Sequence, residues 1–89
     1  MSHFKPLRDP SIVAQDLGDE TLLYDAQGQA MHVLNATASY IWQLCDGQHT
    51  LIEIEQSLKD SFFIPEDQDL SQDIRQTLNT LTAKGLLRP

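Results

Sequence analysis

Positive charge is scarce in this chain. Lys5, Arg8, Lys59, Arg75, Lys84 and Arg88 are its only basic residues, and no two stand closer than three positions apart. Neutralising a phosphate backbone requires clustered Lys and Arg. The formal net charge of −7 and the pI near 4.5 therefore exclude nucleic acid as an expected partner, and disfavour an anionic membrane surface on the same ground. Cysteine is limited to Cys45, so no intramolecular disulfide is available and stability must come from packing, which fits a reducing compartment. Long apolar runs are missing as well. No stretch approaches the roughly 20 residues a membrane helix needs, and residues 1–10 contain nothing like a signal sequence. The expectation is a cytoplasmic protein with no membrane partner.

What is present suffices for one core. The 89 residues leave no room for a second domain, and the expected division is a poorly ordered segment 1–10 followed by a single domain 11–89. The first half reads as strands. Residues 12–16 are short and partly β-branched, Leu17-Gly18-Asp19 supplies a turn, and residues 21–25 form a second strand. Gly28 falls where a tight connection calls for φ > 0, and the apolar run 30–34 resumes as a third strand. Met31 and Val33 then point to one face and Ala30, His32 and Leu34 to the other, so neither face is plainly polar. Such a strand is either sandwiched in the core or borders a surface that another chain covers, and in a meander of three the first and third strands are both edges.

From Asn35 the period becomes helical. Asn35 can cap a helix whose apolar stripe is Ala38, Ile41, Trp42 and Cys45, with Asp46-Gly47 ending it. Thr50-Leu51-Ile52-Glu53 has the form of a capping box, opening a second helix with Leu51, Ile54 and Leu58 inward and an end near Ser61. An apolar connector, Phe62-Phe63-Ile64-Pro65, leads to a third helix capped by Asp69, with Leu70, Ile74, Leu78 and Leu81 as its apolar row and Gly85 as its stop. Leu86 and Leu87 are expected to fold back on the core.

The ionisable residues assemble into no catalytic set. His3, His32 and His49 lack metal-ligand spacing, so neither a metal nor any other cofactor is expected. Cys45 sits at the C-terminal end of an apolar stripe, where nothing depresses a thiol pKa, and reads as a buried structural cysteine. The acidic pairs Asp19-Glu20, Glu53-Glu55 and Glu66-Asp67 fall in turns and on solvent-facing helix positions. The four glycines are isolated at element boundaries and form no phosphate loop. Trp42 reads as core. The chain is expected to be a binding module and not an enzyme.

The segment His32-Val33-Leu34-Asn35-Ala36-Thr37-Ala38, continuing through Ile41-Trp42-Gln43-Leu44-Cys45-Asp46-Gly47, resembles the pyrroloquinoline quinone biosynthesis protein D family. That family's pattern of a strand, Leu-Asn, Thr-Ala, Ile-Trp, Asp-Gly, a Thr-led helix and a last helix closing on Gly-Leu-Leu can be followed over nearly the whole chain after about residue 10. The resemblance implies a winged-helix-like α+β fold with a three-stranded antiparallel sheet followed by three helices. It also implies a peptide-recognition element of ribosomally made, post-translationally modified peptides. In that family the leader of a precursor peptide adds as a strand to the third strand and lies against the third helix. The partners implied are a precursor leader peptide and a modifying enzyme, often a radical S-adenosylmethionine enzyme, in pyrroloquinoline quinone biosynthesis or another peptide pathway. Carried onto this sequence, the receiving edge is Met31, His32, Val33 and Leu34, and the helical wall is drawn from Arg75, Leu78, Asn79 and Thr82. Two other functions compete. A winged-helix DNA-binding regulator needs a basic recognition helix, whereas Asp69, Asp73, Arg75 and Lys84 leave the third helix near neutral. A small accessory subunit binding a folded enzyme would use an apolar patch such as Phe62, Phe63 and Ile64.

Overall fold

The computed structural model describes residues 4–88. Three strands, β1 (Ile12–Asp16), β2 (Thr21–Asp25) and β3 (Ala30–Leu34), precede three helices, α1 (Ala36–Leu44), α2 (Leu51–Ser61) and α3 (Leu70–Ala83). The sheet is an antiparallel meander in the order β1-β2-β3. This is the α+β architecture expected from the sequence, with both β1 and β3 as edges.

Each helix begins on a cap that the sequence announces. The Asn35 side chain accepts from Ala38 N, Thr50 and Glu53 form both halves of a capping box, and the Asp69 carboxylate accepts from Gln72 N. Each bond satisfies a donor that the first helical turn would otherwise leave unpaired. The inward faces then meet in one core of Leu23, Leu34, Ile41, Trp42, Cys45, Ile54, Leu58, Leu70, Ile74, Leu78, Leu81, Leu86 and Leu87. The connector is divided in its use. Phe62 and Ile64 pack against the core, Phe62 meeting Tyr40 edge-on at 5.4 Å, while Phe63 points outward.

Two turns differ from expectation. The left-handed residue between β2 and β3 is Gln29 (φ 52°), not Gly28. Gly28 is constrained instead by crowding. The Asp25 carboxylate turns into the loop to accept from the Gln27 and Gly28 amides, and a Cβ on Gly28 would lie 2.9 Å from Asp25 Oδ2. At the end of α1 the C-cap is Cys45, so Gly47 (φ 78°) stands two residues beyond it, where a Cβ would meet Leu7 Cδ1 at 3.2 Å.

That contact belongs to a feature absent from the sequence reading. Residues 1–3 lie outside the described residues, but over 6–9 the chain is tied to the domain and does not fit the loose segment expected for 1–10. Leu7 bridges Asp46 and Arg8 bridges Leu87. Arg8 N donates to Cys45 O at 2.8 Å and Asp9 N to Leu86 O at 3.0 Å, while Pro6 is fully buried. The turn at Gly85 (φ 74°) brings Leu86 back to donate its amide to Leu81 O, which is the expected fold-back of the two leucines.

Candidate functional site

The hydrogen-bond phase of the sheet fixes what the β3 edge offers. Leu17 N donates to Glu20 O at 2.8 Å across the Gly18-Asp19 turn, which makes Leu17 and Glu20 a hydrogen-bonded pair. Such pairs alternate with non-bonded ones along an antiparallel ladder, so Leu22 and Tyr24 direct their backbone groups toward β1. Thr21, Leu23 and Asp25 are left to face β3, where their partners are Leu34, His32 and Ala30. Met31 and Val33 therefore carry the backbone donors and acceptors on the free edge.

Beside that edge runs an open groove of about 410 Å³, lined by Leu34, Ala38, Leu81 and a polar row on α3 comprising Asp73, Gln76, Thr77, Thr80 and Lys84. The α3 row recurs at steps of three and four and so occupies one stripe of the helix. The floor is apolar, the α3 wall is polar, and Asp73 and Lys84 put one charge of each sign toward its two ends. The volume lies within the ordinary range for a ligand cleft. The Asp73 carboxylate accepts from Gln68 Nε2, and Thr77 Oγ1 donates to Asp73 O at 3.0 Å, so this end of the wall is held by its own hydrogen bonds.

The sequence-derived residues distribute unevenly over this geometry. Leu34 is buried at the groove floor, His32 is half-buried opposite Leu23, and Met31 and Val33 project from the outer face of the sheet with 62% and 59% exposure. On α3, Leu78 is buried in the core. Arg75, Asn79 and Thr82 are exposed on the other flank of the buried row, away from the groove, and Thr82 Oγ1 donates back to Leu78 O. The groove residues that the sequence reading missed are Ala38, Asp73, Gln76, Thr77, Thr80, Leu81 and Lys84.

The other candidate groups are accounted for locally. Cys45 is fully buried, its Sγ 3.2 Å from Ile41 O, and burial pushes its thiol pKa up to about 12. His49 Nδ1 lies 2.9 Å from Asp46 Oδ1, and this contact holds the Asp46 carboxyl below the usual carboxylate range. No group of His, Cys, Asp and Glu among the described residues is arranged to hold a metal ion. Among the described residues, no helix is long and apolar enough to cross a membrane.

The family model for coenzyme PQQ synthesis protein D (PqqD) matches residues 20–87. The chain belongs to the PqqD family. The match spans the strands that build the free edge and the helix that walls the groove. Among solved structures, this PqqD-family chain is similar to TbiB1 in complex with the TbiA(beta) leader peptide, at 24% identity with a TM-score of 0.81 over 92% of this chain and 94% of that one. It is also similar to a lasso peptide synthetase B1 complexed with the leader peptide, at 22% identity with a TM-score of 0.82 over 97% and 100% of the two chains. These likenesses establish a shared fold. None of the curated proteins searched matches the chain.

Proposed function

We propose that this PqqD-family chain is a non-catalytic, cytoplasmic recognition module. It takes up the leader of a ribosomally made precursor peptide as a fourth strand on β3 and presents it to a modifying enzyme, a radical S-adenosylmethionine enzyme being the class the family suggests. The observation that carries this reading is the free β3 edge lying beside a groove with an apolar floor and a polar helical wall. Strand addition takes affinity from backbone hydrogen bonds, here at Met31 and Val33, and specificity from side-chain pockets. Both similar structures are leader-peptide complexes, and the family description names coenzyme PQQ synthesis, one pathway this module would serve.

In this role the contribution to rate is effective concentration. A leader held on β3 makes the encounter of its attached core peptide with the enzyme nearly intramolecular, so the module needs no catalytic residue. The helical wall proposed for the peptide is Asp73, Gln76, Thr77, Thr80 and Lys84, in place of Arg75, Leu78, Asn79 and Thr82. Titration calorimetry with a synthetic leader peptide, combined with amide exchange over residues 30–34, tests the reading. Saturating leader should protect the Met31 and Val33 amides, and a bound leader that leaves them exchanging freely would rule out strand addition here.

A further inference from the structure

The outer face of the sheet carries a second surface. Val13, Tyr24 and Met31 are aligned across the three strands, and Gln15, Leu22 and Val33 form the next row. All six point away from the core, since Thr21, Leu23 and Leu34 fill the opposite face. Val13, Tyr24, Met31 and Val33 are 61%, 40%, 62% and 59% exposed. Single exposed apolar residues are ordinary, but four neighbouring ones on one sheet face form a contiguous patch of the kind that marks an interaction surface.

The charge around the patch restricts what can cover it. Asp19 and Glu20 stand at the β1–β2 turn at one end of the patch, Asp16 and Asp25 alternate to the opposite face with Thr21 and Ile12, and no lysine or arginine occurs between Arg8 and Lys59. A second copy of this chain would bring another patch whose neighbouring charges, Asp19 and Glu20, are acidic and find no base on the strands to pair with, and like charges brought together across an interface are unfavourable. An anionic lipid surface is repelled for the same reason. The complementary occupant is a folded protein with an apolar centre and a Lys/Arg rim.

We infer that the outer sheet face, centred on Val13, Tyr24 and Met31, docks the modifying enzyme through a basic-rimmed apolar patch, at a surface separate from the leader groove. This rests on the leader-binding reading, because continuity of the patch with the β3 edge is what selects the enzyme. Met31 and Val33 offer their backbones to the peptide edge and their side chains to the outer face, so a partner seated there lies beside the bound leader. Met31 adds a flexible, polarisable contact suited to such a patch.

The test uses the purified enzyme that modifies the same precursor, with wild type, the β-compatible double variant Val13→Thr/Tyr24→Thr and the charge variant Val13→Lys. Neither Val13 nor Tyr24 belongs to the groove, and circular dichroism verifies folding. Both variants should bind the enzyme at least about tenfold more weakly, the loss expected when contacts worth roughly 1.4 kcal/mol or more are removed from an interface, and should bind synthetic leader as wild type does. Enzyme association should also slow as salt rises, through screening of the charged rim. Folded variants that bind the enzyme as tightly as wild type, or a wild type that does not bind it, overturn the inference. Sedimentation of the chain alone as a dimer that Val13→Lys dissociates would instead assign the face to a second copy. Leader titration is a separate measurement, so failure of the peptide reading is seen independently of failure at this face.

Discussion

The guanidinium of Arg8 lies 5.9 Å from the ring centroid of Trp42, and its Nη1 donates to the carbonyls of Trp42 at 3.0 Å and Gln43 at 2.7 Å. One cation thus stacks on the core tryptophan and satisfies carbonyls at the C-terminus of α1, where the helix dipole favours positive charge. Arg8→Ala should cost about 1–2 kcal/mol in denaturant unfolding, with Arg8→Lys intermediate because it loses the planar stack. Trp42→Ala, which opens the core itself, should cost about 3–5 kcal/mol. An Arg8→Ala midpoint equal to wild type would show that the guanidinium contacts to Trp42 and Gln43 contribute nothing to stability.

Proline at two adjacent positions should separate binding from folding. Val33 carries an edge-facing N–H, so Val33→Pro should leave the sheet largely intact and weaken leader binding by about 1 kcal/mol or more, roughly fivefold in Kd. His32 faces Leu23 across the ladder, so His32→Pro should lower the melting midpoint. Reversed effects would mean that the edge has the opposite hydrogen-bond phase.

The two flanks of α3 should respond differently to charge. Lys84→Glu alters one end of the groove wall and should change leader affinity, whereas Arg75→Glu should leave it unchanged and shift stability by less than about 0.5 kcal/mol, as exposed substitutions usually do. Calorimetry with one leader decides between the flanks. An effect at Arg75 alone would return the wall to the residues first drawn from the sequence.

The raised thiol pKa of Cys45, about 12 through burial, predicts negligible alkylation by iodoacetamide at neutral pH in the folded state. Modification should become fast in denaturant, because only the thiolate reacts. Rapid labelling of folded protein would mean that the α1 C-terminus opens readily.

Acid should destabilise the fold through its caps. Hydrogen bonding from the Thr50 backbone lowers the Glu53 pKa from its usual 4.5, and the His49 contact lowers that of Asp46 from 3.8. A carboxyl whose folded-state pKa lies below its unfolded value contributes stability above the unfolded pKa and loses it as pH falls through the folded one. The melting midpoint should therefore decline below about pH 4.5, and Glu53→Gln should flatten part of that decline. Thr50→Ala, which removes the other half of the capping box, should cost about 1 kcal/mol at neutral pH.

Strands, helices, caps and core were legible because each is written locally. Period two gives way to helical spacing at Asn35, and Asp69 with Gln72 marks a helix start without tertiary information. The groove was legible only in part. The buried row Leu70, Ile74, Leu78 and Leu81 shows which side of α3 faces inward, but two polar stripes flank that row. Whether the stripe containing Thr77 and Thr80 or the one containing Arg75 and Asn79 turns toward β3 depends on how the helix packs against the sheet. The family resemblance puts Leu78 on the wall, whereas its spacing with Ile74 and Leu81 puts it in the core, where it lies. The docking of residues 6–9 is not written locally, because its pairing partners, Asp46 and Leu87, are distant in sequence.

The stretch without lysine or arginine between Arg8 and Lys59 also governs how contacts of this domain can be observed. Amine-reactive cross-linkers find no side-chain handle on any strand or on α1, so a partner seated on the sheet would leave no lysine cross-link there. Trypsin likewise releases the sheet, α1 and most of α2 as one long fragment, within which digestion cannot localise protection. Mapping that surface calls for reagents directed at Asp16, Asp19 and Glu20, or for labelling of the Tyr24 ring.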